Sequence, residues 1–167
     1  TLFSLGHNPW ILSIGIGILL SLSFPPINAS FLSFFGFIGL YQLVHLSHSY
    51  RHLAMISYPA FLVWNLGTTY WLIMASIPAG VAAIIANSAV MLLPMMVIRF
   101  MHHRYRLYVW TALFQAATWV LYEYLHHHWD LAWPWLSVGN AWANHISVIQ
   151  YISVTGHLGI SFWVVFG

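Results

Sequence analysis

The sequence predicts an all-α protein, a polytopic transmembrane helical bundle of about six spans. Of its 167 residues, 61% are hydrophobic and only 4% are charged, whereas soluble domains carry about 25% charged residues. Apolar runs recur along the chain at lengths near the roughly 20 residues that a membrane-crossing helix needs. These runs lack the ten-residue alternation that is typical of an outer-membrane barrel. The predicted solvent is therefore lipid, and the predicted structure in it is helical.

The spans are delimited by polar or proline-containing breaks. The first ends at Pro25-Pro26, because a proline pair cannot continue a helix. Pro94 lies inside the fourth as a candidate kink. The whole chain, residues 1–167, is predicted to be one transmembrane domain. Its predicted spans cover residues 9–24, 30–47, 54–74, 78–100, 107–125 and 146–167, with an aromatic, amphipathic connection over residues 126–145.

The four arginines predict the orientation. Arg51 follows the second span, and Arg99, Arg104 and Arg106 lie between the fourth and fifth. Both loops fall on one side of a six-span bundle, and the positive-inside rule makes that side cytoplasmic. The N-terminus is then cytoplasmic as well, and the 126–145 connection is extracytoplasmic.

The residue types that are missing exclude several chemistries within this chain. There is no cysteine and no lysine, which excludes a disulfide, a thiolate metal site, a cysteine nucleophile and a lysine base. Six formal charges are too few for a nucleic-acid surface, so no nucleic-acid partner is predicted.

The eleven histidines do not predict a metal or cofactor. His45, His48 and His52 could share one helix face and hold a metal, but an interfacial cluster at a helix end is the favoured interpretation. Glu123 and His126 form half of a di-iron motif, which needs about four carboxylates, and the chain has two acids. A bis-imidazole haem between the two ends of the fifth span, and a hydrolase triad of Ser137, His145 and Asp130 without a nucleophile elbow, are disfavoured.

Glu123 has two open interpretations. An acid at the edge of an apolar slab is a functional hypothesis by default. It could equally be an interfacial carboxylate paired with His126 or His127, one helical turn on. The tryptophans at 129, 133, 135 and 142 could likewise form only an aromatic belt at the membrane interface.

From Leu22 onward the chain resembles bacterial apolipoprotein N-acyltransferases, in the N-terminal membrane part of that family. The motifs that carry this resemblance are "LSFPP" (22–26), "WNLGTTYWL" (64–72), "WVLYEYL" (119–125), "WPWLSVGN" (133–140) and "IQYISVTGHLGISF" (149–162). The family pattern has Glu-x-x-Arg on the fifth span, where this sequence has Glu123 and His126.

The resemblance implies a protein of the bacterial inner membrane with eight transmembrane helices and a nitrilase-like domain on the extracytoplasmic side. In the family, a Glu–Lys–Cys triad takes an acyl chain from phospholipid and passes it to the α-amine of a diacylated lipoprotein. The chain is expected to stop after the sixth span and to be continuous with a missing C-terminal domain. It therefore has no catalytic residue of its own, needs no cofactor and is expected to be inactive alone. The alternative is a stand-alone membrane scaffold or lipid-binding subunit.

The resemblance also places candidate lipid-facing residues at the extracytoplasmic end. Residues 133–140 are expected to form a rigid shelf beside a lipid-accessible cleft, with Trp135 toward acyl chains and Glu123 beneath or beside it. A belt loop lying flat on the headgroups is the alternative. The candidates are Trp133, Pro134, Trp135, Leu136, Gly139, Asn140, Glu123, Tyr70, Trp71 and Gln150.

Overall fold

The computed structural model describes residues 8–104 and 108–167, and within them the regular structure is helical with no strand. The all-α prediction is therefore confirmed for the described part of the chain. Arg106, one of the four orienting arginines, lies outside it. The helices are α1 (Pro9–Ser23), α2 (Leu32–Leu46), α3 (Tyr50–Thr69), α4 (Leu72–Ala75), α5 (Ile77–Val90), α6 (Leu92–Arg104), α7 (Tyr108–His126) and α8 (Ile152–Phe166).

Local sequence explains where the first helices begin and end. The Asn8 side chain accepts a hydrogen bond from the Trp10 amide at 3.0 Å and caps α1. That helix ends before Pro25-Pro26, which has a cis peptide bond. Ser49 caps α3 by accepting from the His52 amide at 3.1 Å. The break between α2 and α3 is thus a capped turn rather than a continuous helix.

Three long stretches differ from the predicted spans. The predicted 54–74 span divides into α3 and the short α4. The predicted 78–100 span divides at Met91 into α5 and α6, because Pro94 has no N–H to bond a carbonyl one turn earlier. Residues 146–151 form turns, so the helix of the last predicted span begins at Ile152, and Gly156 interrupts it with a φ of 67°.

Length and apolar composition single out one helical stretch of the described residues. Ile77–Arg104, which comprises α5 and α6, is long and apolar enough to cross a membrane. Pro9–Ser23, Leu32–Leu46 and Ile152–Phe166 are apolar but shorter.

The core lies where α1, α2, α3 and α7 meet. Trp64 of α3 and Trp119 of α7 are both fully buried, with ring centroids 6.2 Å apart. Phe37 of α2 packs edge-on against Trp119 at 4.8 Å. This aromatic cluster fixes α7 against the first three helices and so positions Glu123, one turn beyond Trp119.

Candidate functional site

Residues 133–140, here called the shelf, fold into compact turns rather than a continuous helix. Two 3-10 turns, Pro134–Leu136 and Val138–Trp142, meet at Ser137. The Asn140 side-chain amide donates back to the Pro134 carbonyl at 2.8 Å and to the Trp135 carbonyl at 3.4 Å. The shelf is therefore closed on itself by its own polar side chain.

Glu123 fastens the shelf to α7. The residue is 3% exposed, and its carboxyl oxygens accept three hydrogen bonds from neighbouring groups. The Trp119 indole N–H and the Val138 amide donate to Oε1 at 3.0 and 2.9 Å, and the Ser137 hydroxyl donates to Oε2 at 3.0 Å. The Ser161 hydroxyl of α8 also interacts with this carboxyl group. One buried carboxylate thus joins α7, the shelf and α8.

The predicted pairing of Glu123 with a histidine does not occur. The His126 Nε2 atom instead contacts the Asn87 side-chain oxygen at 2.9 Å. The His127 ring stacks on His157 at 5.4 Å. Burial, followed by the nearby His157 and His128, lowers the pKa of His127, so this imidazole is neutral at neutral pH. Among the described residues, Glu123 is balanced by neutral donors rather than by a salt bridge.

A second polar network lies beside the first. The Asn87 side-chain amide donates to the Asn65 side-chain oxygen at 2.8 Å, and the Asn65 amide donates to the Phe61 carbonyl at 2.9 Å. With His126 bonded to Asn87, this chain of contacts joins α3, α5 and α7. Asn65 is fully buried, so its amide must be satisfied inside the protein.

The segment after the shelf is fixed to the turn before α2. The Trp142 indole donates to the Ser33 hydroxyl at 3.2 Å, and the Asn144 amide donates to the Asn28 side chain at 2.7 Å. The Ser30 hydroxyl also donates to the Ala141 carbonyl. These contacts bring the "FPPINAS" turn beside the shelf.

A cleft of about 640 Å³ opens between the shelf and this turn. We call it the tryptophan cleft, because Trp71 and Trp135 both line it and their rings contact edge-to-face, with centroids 5.3 Å apart. Trp135 is 53% exposed and Tyr70 is 51% exposed. The lining residues are Phe24, Pro25, Pro26, Thr68, Tyr70, Trp71, Trp135, Asn140 and Ala143.

The structure brings most of the sequence-predicted site residues together in two layers. The tryptophan cleft is lined by four of these candidates, Tyr70, Trp71, Trp135 and Asn140. Below it, Leu136 is buried, and the Gly139 amide donates to the Ser161 hydroxyl at 3.1 Å. The remaining candidates of the shelf are Pro134, whose carbonyl accepts from Asn140, and Trp133, whose buried indole nitrogen has no hydrogen-bond partner in residues 8–104 and 108–167.

One candidate lies apart, and several participants were not predicted. Gln150 is exposed, and its amide bonds the Ile146 carbonyl at 2.7 Å within a turn. The unpredicted residues include Ser161 below the shelf and the Asn65–Asn87 pair. The Phe24–Pro26 wall of the cleft was not predicted as part of the site either. Isolated serines and asparagines in apolar helices carry no sequence pattern that would have marked them.

The other end of the bundle holds the basic residues. The Arg99 guanidinium is buried, donates to the Ser47 carbonyl at 2.6 Å and lies 5.3 Å from the centre of the Tyr50 ring. The His45 and His102 rings are 4.1 Å apart. These contacts join the α2–α3 turn to the end of α6, so the two arginine-bearing loops meet at one end.

The histidine and triad hypotheses find no support in the geometry. His45 belongs to α2 and His52 to α3, so the three spaced histidines do not share one helix face. In residues 8–104 and 108–167, no group of three or more His, Asp or Glu side chains could hold a metal. Ser137 donates to Glu123, whereas His145 contacts the Asn28 carbonyl at 3.2 Å, so they form no triad.

Comparison with known proteins gave two matches. The family model described as the apolipoprotein N-acyltransferase N-terminal domain matches residues 16–167. An apolipoprotein N-acyltransferase of Chlorobaculum tepidum is 29% identical over 165 residues, which cover 93% of this chain and 30% of that relative. The chain therefore spans less than a third of the length of the curated relative it matches.

Proposed function

This chain belongs to the family of apolipoprotein N-acyltransferase N-terminal domains, and on that premise we propose that it is the membrane-embedded part of an acyltransferase. The reaction we assign to the complete enzyme is N-acylation of diacylated lipoproteins with phospholipid as the acyl donor. The role of this chain is to present lipid at the tryptophan cleft. The observation that carries the proposal is the cleft of about 640 Å³ beside the shelf, with the contacting rings of Trp71 and Trp135 in its wall.

The distribution of charge supports a multi-pass protein of the bacterial inner membrane. Arg99 and the start of α3, which carries Arg51, meet at one end of the bundle. Glu123 and Asp130 belong to the opposite end, with the shelf. Under the positive-inside rule the arginine end is cytoplasmic, and the shelf then lies on the extracytoplasmic side with an N-terminus in the cytoplasm. The apolar Ile77–Arg104 stretch supports the membrane placement.

The composition of the tryptophan cleft supports lipid as its ligand. Two prolines, a phenylalanine and two tryptophans line it, together with Ala143 and the polar side chains of Thr68, Tyr70 and Asn140. Indole and phenol rings concentrate at membrane interfaces, because one edge is apolar and the other can hydrogen-bond. Such walls suit an acyl chain that leaves the bilayer with its ester near the headgroups.

The hydrogen bonds beneath the shelf support a rigid cleft. The carboxylate of Glu123 holds Ser137 and Val138, so Trp135 is carried on a segment that is fixed from below. Preorganisation of this kind lowers the entropy cost of binding a flexible chain. A cysteine nucleophile and a lysine base for the transfer would have to lie outside these 167 residues, since they include neither residue type.

The test is Trp135→Ala in the complete protein, as encoded by its gene. The matched control is Trp110→Ala, because Trp110 is 54% exposed and Trp135 is 53% exposed. We expect Trp135→Ala to lower the rate of acyl transfer from phospholipid vesicles to a diacylated lipopeptide by about tenfold or more, a cost of about 1.4 kcal/mol. Membrane insertion and the rate for Trp110→Ala should stay unchanged.

Equal rates for Trp135→Ala and the wild type would remove the cleft from the mechanism. Absence of acyl transfer in the wild-type complete protein would favour the alternative of a membrane scaffold or lipid-binding subunit. Mass spectrometry of the lipopeptide distinguishes the two results, because N-acylation adds one acyl chain to its mass.

A further inference from the structure

A second cleft lies on a different face of the bundle, between α5–α6 and α7. We call it the α6–α7 groove. Its volume is about 510 Å³, within the range of about 300–1,000 Å³ of small-molecule sites. It shares no lining residue with the tryptophan cleft. The lining residues are Val90, Leu93, Pro94, Val97, Thr118, Leu121, Tyr122, Leu125, His126, His128 and Trp129.

The groove is apolar along its length and open at its side. Leu93 on one wall is 61% exposed, and Leu121 and Leu125 on the other are 57% and 58% exposed. One wall belongs to Ile77–Arg104, the stretch that is long and apolar enough to cross a membrane. That stretch divides at Met91 into α5 and α6, and Pro94, close to the division, lines the groove.

Polar side chains gather at one end of the groove. His126, His128 and Trp129 end α7 and begin the connection that leads to the shelf. The His126 Nε2 atom is engaged by the Asn87 oxygen at 2.9 Å, so its proton is on Nε2 and the Nδ1 atom is a hydrogen-bond acceptor. The His128 Nδ1 atom contacts the Tyr124 carbonyl at 2.6 Å, which fixes that ring at the end of the groove.

A buried recess adjoins this polar end. It shares Tyr122 and His126 with the groove and is also lined by Glu123 and Trp133. The indole nitrogen of Trp133 is buried there without an acceptor among the described residues. A buried N–H group with no protein partner is rare and points to an oxygen supplied by water or by a ligand.

We propose that the α6–α7 groove is a second lipid site, which holds one acyl chain of a membrane phospholipid. The chain lies between α6 and α7, and the ester and glycerol oxygens of the lipid lie among His126, His128 and Trp129. The inference rests on the membrane placement in the proposed function, but not on acyl transfer at the tryptophan cleft.

The chemistry of the groove selects this occupant. The middle of the groove has no charged lining residue, which excludes an ionic ligand. In the proposed orientation the groove opens into the bilayer, so the acyl chains of the membrane surround it. The imidazole and indole groups at the mouth are hydrogen-bonding groups of the kind that glycerol esters meet at membrane interfaces. Arg99 and Arg104 end α6 at the far end of the bundle, and no arginine is among the described residues that line this mouth.

The experiment uses the complete protein in phosphatidylcholine vesicles that contain a phosphatidylcholine with a diazirine near the end of one acyl chain. After irradiation, mass spectrometry locates the labelled residues. Two variants fill the groove from opposite walls, Leu121→Trp and Val97→Trp. The control is Ile18→Trp on α1, a residue that is 46% exposed and lies outside the groove.

We expect labelling to concentrate on Leu93, Val97 and Leu121 in the wild type and in Ile18→Trp. Each groove-filling variant should reduce it at least about tenfold, which corresponds to about 1.4 kcal/mol of binding free energy. Thermal unfolding shows whether either variant is folded, and the second wall provides the test if one is not. Phospholipid retained through detergent purification should fall in parallel.

Three results would overturn the proposal. Labelling spread evenly over exposed apolar faces would mean annular lipid only. Labelling in the groove that survives in both filled variants would exclude a defined site. Protection of the groove by another segment of the complete protein would mean that a helix, not a lipid, occupies it. None of these results depends on the transfer rate, so failure here is distinguishable from failure of the proposed function.

Discussion

At the scale of single residues, Glu123 shows how a carboxylate can be buried without a cation. Its carboxyl oxygens accept three hydrogen bonds from neutral donors, which are the Trp119 indole, the Ser137 hydroxyl and the Val138 amide. Removing such an acceptor leaves the donors buried and unsatisfied, which costs about 1–3 kcal/mol for each one. Glu123 therefore acts mainly as the fastener of the shelf.

The first prediction concerns this fastener. Glu123→Ala should lower the free energy of unfolding by about 3 kcal/mol or more, because several buried donors lose their acceptor together. Glu123→Gln should cost less, since one side-chain oxygen can still accept. Thermal unfolding of the purified protein in detergent measures both, with the exposed Asp130→Ala as a control within about 0.5 kcal/mol of the wild type. An unchanged unfolding midpoint for Glu123→Ala would contradict the fastening role.

The second prediction concerns the asparagine pair. Asn65 and Asn87 are joined by a hydrogen bond of 2.8 Å between α3 and α5. Because neither amide can bond water when its partner is removed, Asn65→Ala and Asn87→Ala should couple by about 0.5–3 kcal/mol in a double-mutant cycle. Asn65→Ala with Asn140→Ala is the control cycle, since Asn140 is exposed. Strict additivity in the first cycle would refute the network.

The sequence could predict that Glu123 matters but not which residues hold it. An acid at the edge of an apolar slab stands out by its cost, and its position on a helix follows from the apolar pattern. Its partners Ser137 and Val138 lie 14 and 15 residues further along the chain, and they reach it through the two 3-10 turns. The geometry of such irregular turns depends on tertiary packing rather than on residue spacing.

At the scale of elements, the shelf is held by close approach as well as by hydrogen bonds. A Cβ atom added at Gly139 would lie 2.8 Å from the carbonyl oxygen of His157. This is backbone, so it cannot move aside as a flexible side chain would. Glycine is therefore the residue that lets the shelf contact α8, whose kink at Gly156 is one residue before His157.

The third prediction follows from this contact. Gly139→Ala should displace the shelf from α8 and lower the unfolding midpoint. The matched control is Gly15→Ala in α1, where an added Cβ atom meets nothing within 4 Å and helix propensity predicts a gain of about 0.5–1 kcal/mol. Opposite signs for the two variants are expected in thermal unfolding. Equal effects would show that the shelf tolerates a side chain at this point.

Element boundaries show what the apolar pattern could and could not predict. The predicted spans that correspond to α1, α2 and α7 agree with the observed helices within a few residues. A proline pair and clusters of polar residues mark the limits of these apolar runs in the sequence. The division at Met91 was not predicted, although Pro94 indicated a kink nearby. Turns at 146–151 were also missed, because hydropathy measures only apolar character, which a turn of Ile146 and Val148 shares with a helix.

At the scale of the whole molecule, the described arginines and the shelf lie at opposite ends of the bundle. The arginine loops meet through Arg99 and Ser47, while the tryptophan cleft and the shelf lie at the other end. The sequence alone indicated this sorting, because loops that alternate in a helical bundle fall on alternate sides. Contacts within each end, such as Asn28 with Asn144, depend on how the helices pack and could not be predicted from the alternation.

The last prediction tests the orientation of the bundle. Because the chain has no cysteine, a single introduced thiol reports on one site. Ser49→Cys marks the arginine end and Ala132→Cys marks the approach to the shelf, and both positions are exposed. Ser137 is unsuitable as a reporter, since it is 3% exposed and bonded to Glu123.

If the arginine end is cytoplasmic, a membrane-impermeant maleimide added to intact cells whose outer membrane admits it should label Ala132→Cys and spare Ser49→Cys. After the inner membrane is permeabilised, both thiols should react, which shows that protection came from the bilayer. The opposite pattern in intact cells would invert the molecule, since positive residues would then face outward against the rule that sets topology, and the tryptophan cleft would open toward the cytoplasmic leaflet.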